Sequence, residues 1–468
     1  MLYARSVAVP ETPLSDRAEP PERLSAGKAL RQSCPRSAHA EWTLPPDRPD
    51  PIDLLIENSA GRVPELVPLR YGRMLASPFT FLRGAAAVMA SDLSRTPSTG
   101  VTVQACGDCH LLNFGGFATA ERRVIFDIND FDETSIAPWE WDVKRLVASV
   151  HVAGRSNGFS ERESRTAVRA AAAGYREQTA TYATTPVLDT WYEAFDLERL
   201  LERSADTEMR RFYLAKLRSA SARSSHEKEF AKLTFLKGER PRIVDRPPLI
   251  FHGAADMDQD EFRANVEESY ARYLESLPRE RRTLLDRYQI VDVAFKVVGI
   301  GSVGTVCGVV LLISRNGDPL FLQIKQAGQS VLEPYAGPSG FDHPGERVVV
   351  GQRLMQAAGD MFLGWFTGVP AGRQFYVRQL GDAKIKPVIE TMNPLNLRNY
   401  AGLCGRALAR AHSRSGDAAL LTGYMGKNSA FDDALADFAK AYADQTEADH
   451  AALVAAARSG KVEVQTEE

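Results

Sequence analysis

Apolar side chains recur at helical spacing through much of the chain. Residues 78–90 (PFTFLRGAAAVMA) predict a helix with proline in its first turn. Residues 166–183 and 261–277 carry amphipathic helical patterns. Two short runs, 101–105 and 122–128, predict strands with a glycine-containing loop between them. From about 139 to 288 the pattern is largely helical, broken by the proline-rich stretch 238–251. The texture then turns to β, in YQIVDVAFKVVGIGSVGTVCGVVLLIS, PLFLQIKQA and QFYVRQL, with a helix (GERVVVGQRLMQAAGD) between the last two. Beyond residue 394 helical periodicity returns. Helices with a short hairpin, then a β block, then helices predict an α+β chain with a segregated β lobe. The expected units are an extended arm (1–50), a helical lobe (51–285), a β lobe (286–392) and C-terminal helices packing back on the helical lobe (393–468).

Charge and composition act mainly by exclusion. Lys and Arg number 57 against 60 Asp and Glu, a net charge of −3. No global field draws the chain to nucleic acid or to a membrane surface, so neither is an expected partner. Five scattered cysteines point to a reducing compartment. The first residues lack the apolar core of a secretory signal, and the longest apolar run, VCGVVLLI at 306–313, reads as a buried strand. The expectation is a cytoplasmic protein.

The segment CGDCHLLNFGGF sets Asp108, His110 and Asn113 in the spacing G-D-x-H-x-x-N, and Asp127 follows inside FDINDFDE. Phosphoryl transfer asks for a carboxylate near the attacking hydroxyl and oxygen ligands for Mg2+. Asp108, Asn113 and Asp127 supply that set, with Asp130 as a further metal ligand. Singly, each is ordinarily a turn or cap residue. Together with Asp130, Asp132 and Glu133 they crowd one strand end with carboxylates, which repel unless a cation sits among them. CGDCH also matches the c-type haem attachment motif, but that chemistry needs export. A binuclear phosphoesterase would draw several histidines from separate loops, and only eight histidines are present.

Downstream, Gly299, Gly301 and Gly304 form G-x-G-x-x-G between two β runs. A dinucleotide site needs a helix after the third glycine; a strand follows here, the arrangement that covers ATP phosphates in kinases. Lys325 lies in the alternating strand FLQIK, where an unpaired buried amine is costly. Glu346, early in the next helix, is its expected partner, with loop-borne Glu333 as the alternative.

These pieces together resemble the aminoglycoside-phosphotransferase-like branch of the protein-kinase-like fold. The stretches RYGRMLASPFTFLRGAAAVMASDL, GDCHLLNFGGF, FDINDFDET, WEWDVKRLVAS and GERVVVGQRLMQAAGD also resemble the bacterial domain-of-unknown-function family 2252. The kinase resemblance implies ATP and Mg2+ as cofactors and transfer to an unidentified small-molecule or protein acceptor. By the same resemblance Asp108 is the catalytic base, Asn113 and Asp127 hold metal, Lys325 holds phosphate and Asp142 braces the catalytic loop. In ordinary kinases the glycine loop precedes the catalytic loop; here it follows, which implies a circularly permuted two-lobed fold. Cys106 stands where the phosphotransferases usually carry His. A non-catalytic nucleotide-binding protein, an adenylyl transferase and a metal-dependent phosphoesterase are the other readings. Arg70, Arg73 and Arg83 could balance the acids or grip phosphate. Trp139, Trp141 and His412 read as interior residues, Arg378 and Gln379 as a strand facing the base, and Asp382 and Lys384 as facing substrate.

Overall fold

The computed structural model describes residues 19–202, 210–211, 213–217, 230–238, 240–252, 259–297, 299–369, 372–380 and 384–466. Asp382 lies outside them. The chain is a mixed α+β protein with several antiparallel sheets. Its largest sheet has six strands in the order β12-β13-β11-β10-β9-β8. These are β8 (Ile250–Phe251), β9 (Tyr288–Lys296), β10 (Cys307–Ser314), β11 (Pro319–Gln326), β12 (Gly364–Thr367) and β13 (Gln374–Gln379). Alternating apolar residues bury one face of this sheet against the Gln259–Glu275 helix through Tyr273, Leu277, Leu312, Leu320 and Phe366. Leu311 and Phe321 pack on the other face with Leu233 and Ile243.

The expected helix at 78–90 is two helices, Pro78–Gly84 and Ala86–Leu93, broken at Ala85, which adopts φ −107°, ψ 36°. The expected strands form as β1 (Thr102–Ala105) and β3 (Val124–Ile128). They do not pair with each other. β1 pairs with β4 (Ser135–Pro138), and β3 with β2 (Phe114–Ala118) and with β5 (Phe195–Asp196). The stretch 238–251 is β rather than a plain break: β6 (Thr234–Lys237) pairs with β7 (Arg240–Ile243), and β8 joins the large sheet.

The main core lies in the helical part. Helices Trp139–Ser156, Glu161–Tyr182, Pro394–His412 and Ala430–Arg458 enclose it, with Trp139 stacked on Tyr175 at 5.6 Å. The C-terminal helices thus pack beside Trp139–Ser156 and Glu161–Tyr182, far earlier in the chain. Among the described residues, no helix is long and apolar enough to cross a membrane.

Candidate functional site

The hairpin bearing Asp108 is held from below. Gly107 sits at φ +82°, and a Cβ there would lie 2.2 Å from the Glu133 carbonyl oxygen, so only glycine fits. The Asp142 carboxylate accepts from the Cys106 N–H at 2.7 Å and the Gly107 N–H at 3.0 Å. His412 Nε2 approaches the same carboxylate at 3.2 Å, while its Nδ1 lies 2.9 Å from the Tyr175 hydroxyl. Asp142 therefore braces the loop, and His412 is a satisfied interior residue. The Cys106 and Cys109 sulfurs and an Asp142 oxygen lie within 4.8 Å of one another. Burial pushes both thiols up, Cys109 to about 11, and Asp142 is already engaged by the backbone. The trio is a packed support for the loop.

Asp108 has one committed and one open oxygen. Arg145 Nε donates to Oδ1 at 2.7 Å, and the guanidinium also donates to the Leu82 carbonyl. Oδ2 lies 3.6 Å from His110 Nε2. Burial pushes the His110 imidazole down to about 3, so it is neutral near pH 7. The Asn113 amide donates from Nδ2 to the Asp108 carbonyl at 2.6 Å, and among the described residues no donor engages its Oδ1.

Across from this hairpin stands the glycine loop between antiparallel β9 and β10. Gly299 enters a 3-10 turn, Ile300–Ser302, and Gly304 adopts φ +86°. A Cβ on Gly301 would stand 4.0 Å from Asp108 Oδ2, so the loop lies directly over the carboxylate. Ile300 and Val303 are buried against the helical part. Arg62 donates to the carbonyls of Gly301 (2.9 Å) and Val303 (2.6 Å), and the Val63 N–H donates to the Gly304 carbonyl at 2.6 Å.

Lys325, 2% exposed, projects from β11 into the segment that follows β3. Its Nζ lies 2.5 Å from Asp132 Oδ2 and 3.8 Å from Asp130 Oδ1. The Tyr376 hydroxyl donates to Asp132 Oδ1 at 2.5 Å, and the Ser302 hydroxyl to Oδ2 at 2.9 Å. Burial alone would lower the Lys325 ammonium, but Asp130 and Asp132 outweigh it and raise it above the ordinary range. Burial opposes ionisation of Asp132 as well, yet Lys325 holds it well below a usual carboxylate. Asp130 moves the other way, pushed up by burial and by the charge of Asp132. Glu133 is raised to about 6, chiefly by burial.

Two expected residues are elsewhere. Asp127, fully buried, does not line the cleft. Both its oxygens accept from Arg410 Nη2, at 2.6 and 2.7 Å, and from the backbone N–H groups of Ile128 and Ala357, each at 2.9 Å. Its place on β3 turns it toward the Pro394–His412 helix, and the reading of Asp127 as a metal ligand is corrected accordingly. Glu346 makes no ion pair among the described residues; Asp130 and Asp132 take the place it was expected to fill beside Lys325. Its neighbour Arg347, one position around the helix, faces the cluster and donates to the carbonyls of Asp132 (2.8 Å), Gly328 (2.9 Å) and Thr134. Glu333 is 3.7 Å from Arg347, not beside Lys325.

The cleft measures about 460 Å³ and is lined by Asp108, Asn113, Asp130, Asp132, Glu133, Lys325 and the loop residues Gly299, Gly301 and Ser302. Eight cationic side chains line it against four acidic ones. Arg70 lines it too, but its guanidinium is committed to the carbonyl of Gly84, Ser59 Oγ and Asn58 Oδ1. Arg378 joins Gln323 at 3.0 Å and the Asn129 carbonyl. Sequence reasoning missed Arg145, Tyr376 and Arg347 as partners of the acids. The helical run after Trp139 places Arg145 three residues beyond Asp142, one turn along the same face, and that spacing was the available signal.

A family model described as an uncharacterized protein conserved in bacteria (DUF2252) matches residues 62–456. No curated protein and no solved structure matches the chain.

Proposed function

The chain belongs to the DUF2252 family, and from the cleft it carries we propose that it is an ATP- and Mg2+-dependent phosphotransferase with a circularly permuted, kinase-like two-lobed fold. One observation carries this reading. Lys325 and the glycine loop, about two hundred residues downstream of Asp108, meet Asp108, Asn113, Asp130 and Asp132 in a single cleft. The donor set fits the cofactors: carboxylates of Asp130 and Asp132 and the uncommitted Asn113 Oδ1 are the hard oxygens Mg2+ prefers. Asp130 and Asp132 repel each other, and Lys325 offsets that repulsion; a metal bound there would complete the compensation. The Lys325 ammonium and the loop's backbone N–H groups would hold phosphate oxygens. Asp108 Oδ2, open beneath Gly301, would accept the hydrogen bond of the acceptor hydroxyl and orient it, while Arg145 fixes the carboxylate through Oδ1.

Mg·ATP is expected to raise the melting temperature of the purified protein, and Lys325→Met to remove that shift. With a small-molecule extract as acceptor source, ADP release is expected, falling at least ~100-fold in Asp108→Asn. AMP as the product would assign the same ligands to adenylyl transfer. Undiminished ADP release in Asp108→Asn, or no Mg2+-dependent ATP binding, ends the reading.

A further inference from the structure

The cleft holds more positive charge than the triphosphate chemistry uses. Asp132 engages Lys325, and Arg378 is committed to Gln323 and the Asn129 carbonyl. Three cations, Arg83, Lys384 and Lys386, line the same cavity with no hydrogen bond or ion pair to another described residue. Arg83 Nε is buried without a partner, a cost that an acceptor on a ligand would relieve. A Cβ on Gly301 would stand 3.9 Å from the Arg83 carbonyl oxygen and 4.0 Å from Asp108 Oδ2, so Arg83 lies on the Asp108 side of the cleft. Lys386 stands exposed at the mouth of the cavity, with the cations Arg378, Arg83 and Lys325 and the carboxylate of Asp130 acting on it. Lys384, also exposed, is pushed down chiefly by the positive charge of Arg378. Cations gathered in this way repel one another until an anion arrives.

Resting on the phosphotransferase reading, we infer that the acceptor is itself anionic: a small alcohol carrying an oxyanion group, phosphate or carboxylate, that Arg83 and Lys386 grip while its hydroxyl faces Asp108. Guanidinium and ammonium together suit such a group, one by its planar fork and one as a point charge. In the transfer, the acceptor oxygen bonds to the γ-phosphorus as the bond to the β-bridging oxygen breaks. ADP leaves with that electron pair, and the hydroxyl proton passes to Asp108.

The test uses the full-length protein saturated with Mg2+ and the non-hydrolysable ATP analogue AMP-PNP, titrated calorimetrically with inorganic phosphate or acetate. The expected result is that one of the two binds the nucleotide-loaded protein, phosphate indicating a phosphorylated acceptor and acetate a carboxylated one. Arg83→Ala and Lys386→Ala are each expected to weaken that anion at least tenfold while AMP-PNP affinity changes less than threefold. The inference is overturned if neither anion binds the loaded protein, or if both substitutions weaken AMP-PNP as much as the anion, which would make these cations part of the nucleotide site. If AMP-PNP itself does not bind, the phosphotransferase reading has failed. The same titration without nucleotide then decides the anion site alone: it stands if the two substitutions weaken the anion and falls if they do not.

Discussion

Asp127 separates a structural carboxylate from a metal-binding one, and Asp127→Asn tests which it is. In the native protein its oxygens accept from Arg410 Nη2 at 2.6 and 2.7 Å and from two backbone N–H groups, with both side chains fully buried. Every neighbour of that carboxylate is a donor. An amide in its place must turn one NH2 group toward a donor, and it leaves the Arg410 guanidinium without a counter-charge in the core. Arg410 Nε and Nη1 already lack partners, so nothing nearby can take over. Breaking a buried ion pair from one side costs about 3–5 kcal/mol. Urea unfolding followed by tryptophan fluorescence should therefore show a loss of that size. Asp127→Leu combined with Arg410→Met should recover part of it, because no unpaired charge remains. Mg·ATP binding by the folded fraction of Asp127→Asn should stay within threefold of wild type. A loss of stability below about 1 kcal/mol together with abolished Mg2+ dependence would refute the reasoning and return Asp127 to the metal site.

Acid sensitivity should come partly from His39, which is fully buried, 2.7 Å from the Tyr424 hydroxyl, and pushed down to about 3 by burial and then by Lys144. Its folded value lies below the unfolded one near 6.5, so the unfolded chain binds more protons between the two and stability falls as pH drops through that window. His39→Gln should reduce the loss between pH 7 and 5 by about 2 kcal/mol; an unchanged acid limb in urea unfolding would contradict this. Two glycines should behave oppositely. Gly107→Ala, whose Cβ would meet the Glu133 carbonyl at 2.2 Å, should cost at least ~2 kcal/mol. Gly299→Ala meets nothing within 4 Å at φ −58° and should leave stability within about 0.5 kcal/mol. Equal effects on the melting temperature would show that the hairpin is not packed as described.

What was legible in the sequence was local. The strand, glycine loop and strand around Gly299–Gly304, the alternation around Lys325 and the Asp108–Asn113 spacing each sit inside one short window. The two-residue β8 and the four-residue β6 and β12 carried too little periodicity to be found, and β7 was hidden by its Pro241. Asp127 misled because β3 is buried on both faces, so no alternation marked which side chains reach the cleft. Its true partner, Arg410, is 283 residues away. Glu346, expected beside Lys325, misses the acidic cluster that Arg347 faces by one step around the helix, about 100°, which sequence pattern alone does not resolve. Pairings between distant segments are set by tertiary packing, which no single stretch of sequence displays.

The bonds from Arg62 and Val63 to the glycine loop have a kinetic meaning. A phosphate lid tethered only to its own sheet can lift to admit ligand and settle afterwards, and each binding event then bears the entropy of ordering it. Here three carbonyls of the glycine loop are stitched to the helical part of the chain, and Ile300 and Val303 act as rivets in the cores beneath it. The slot exists before anything occupies it, so a ligand captured there would bear little of the cost of ordering the loop.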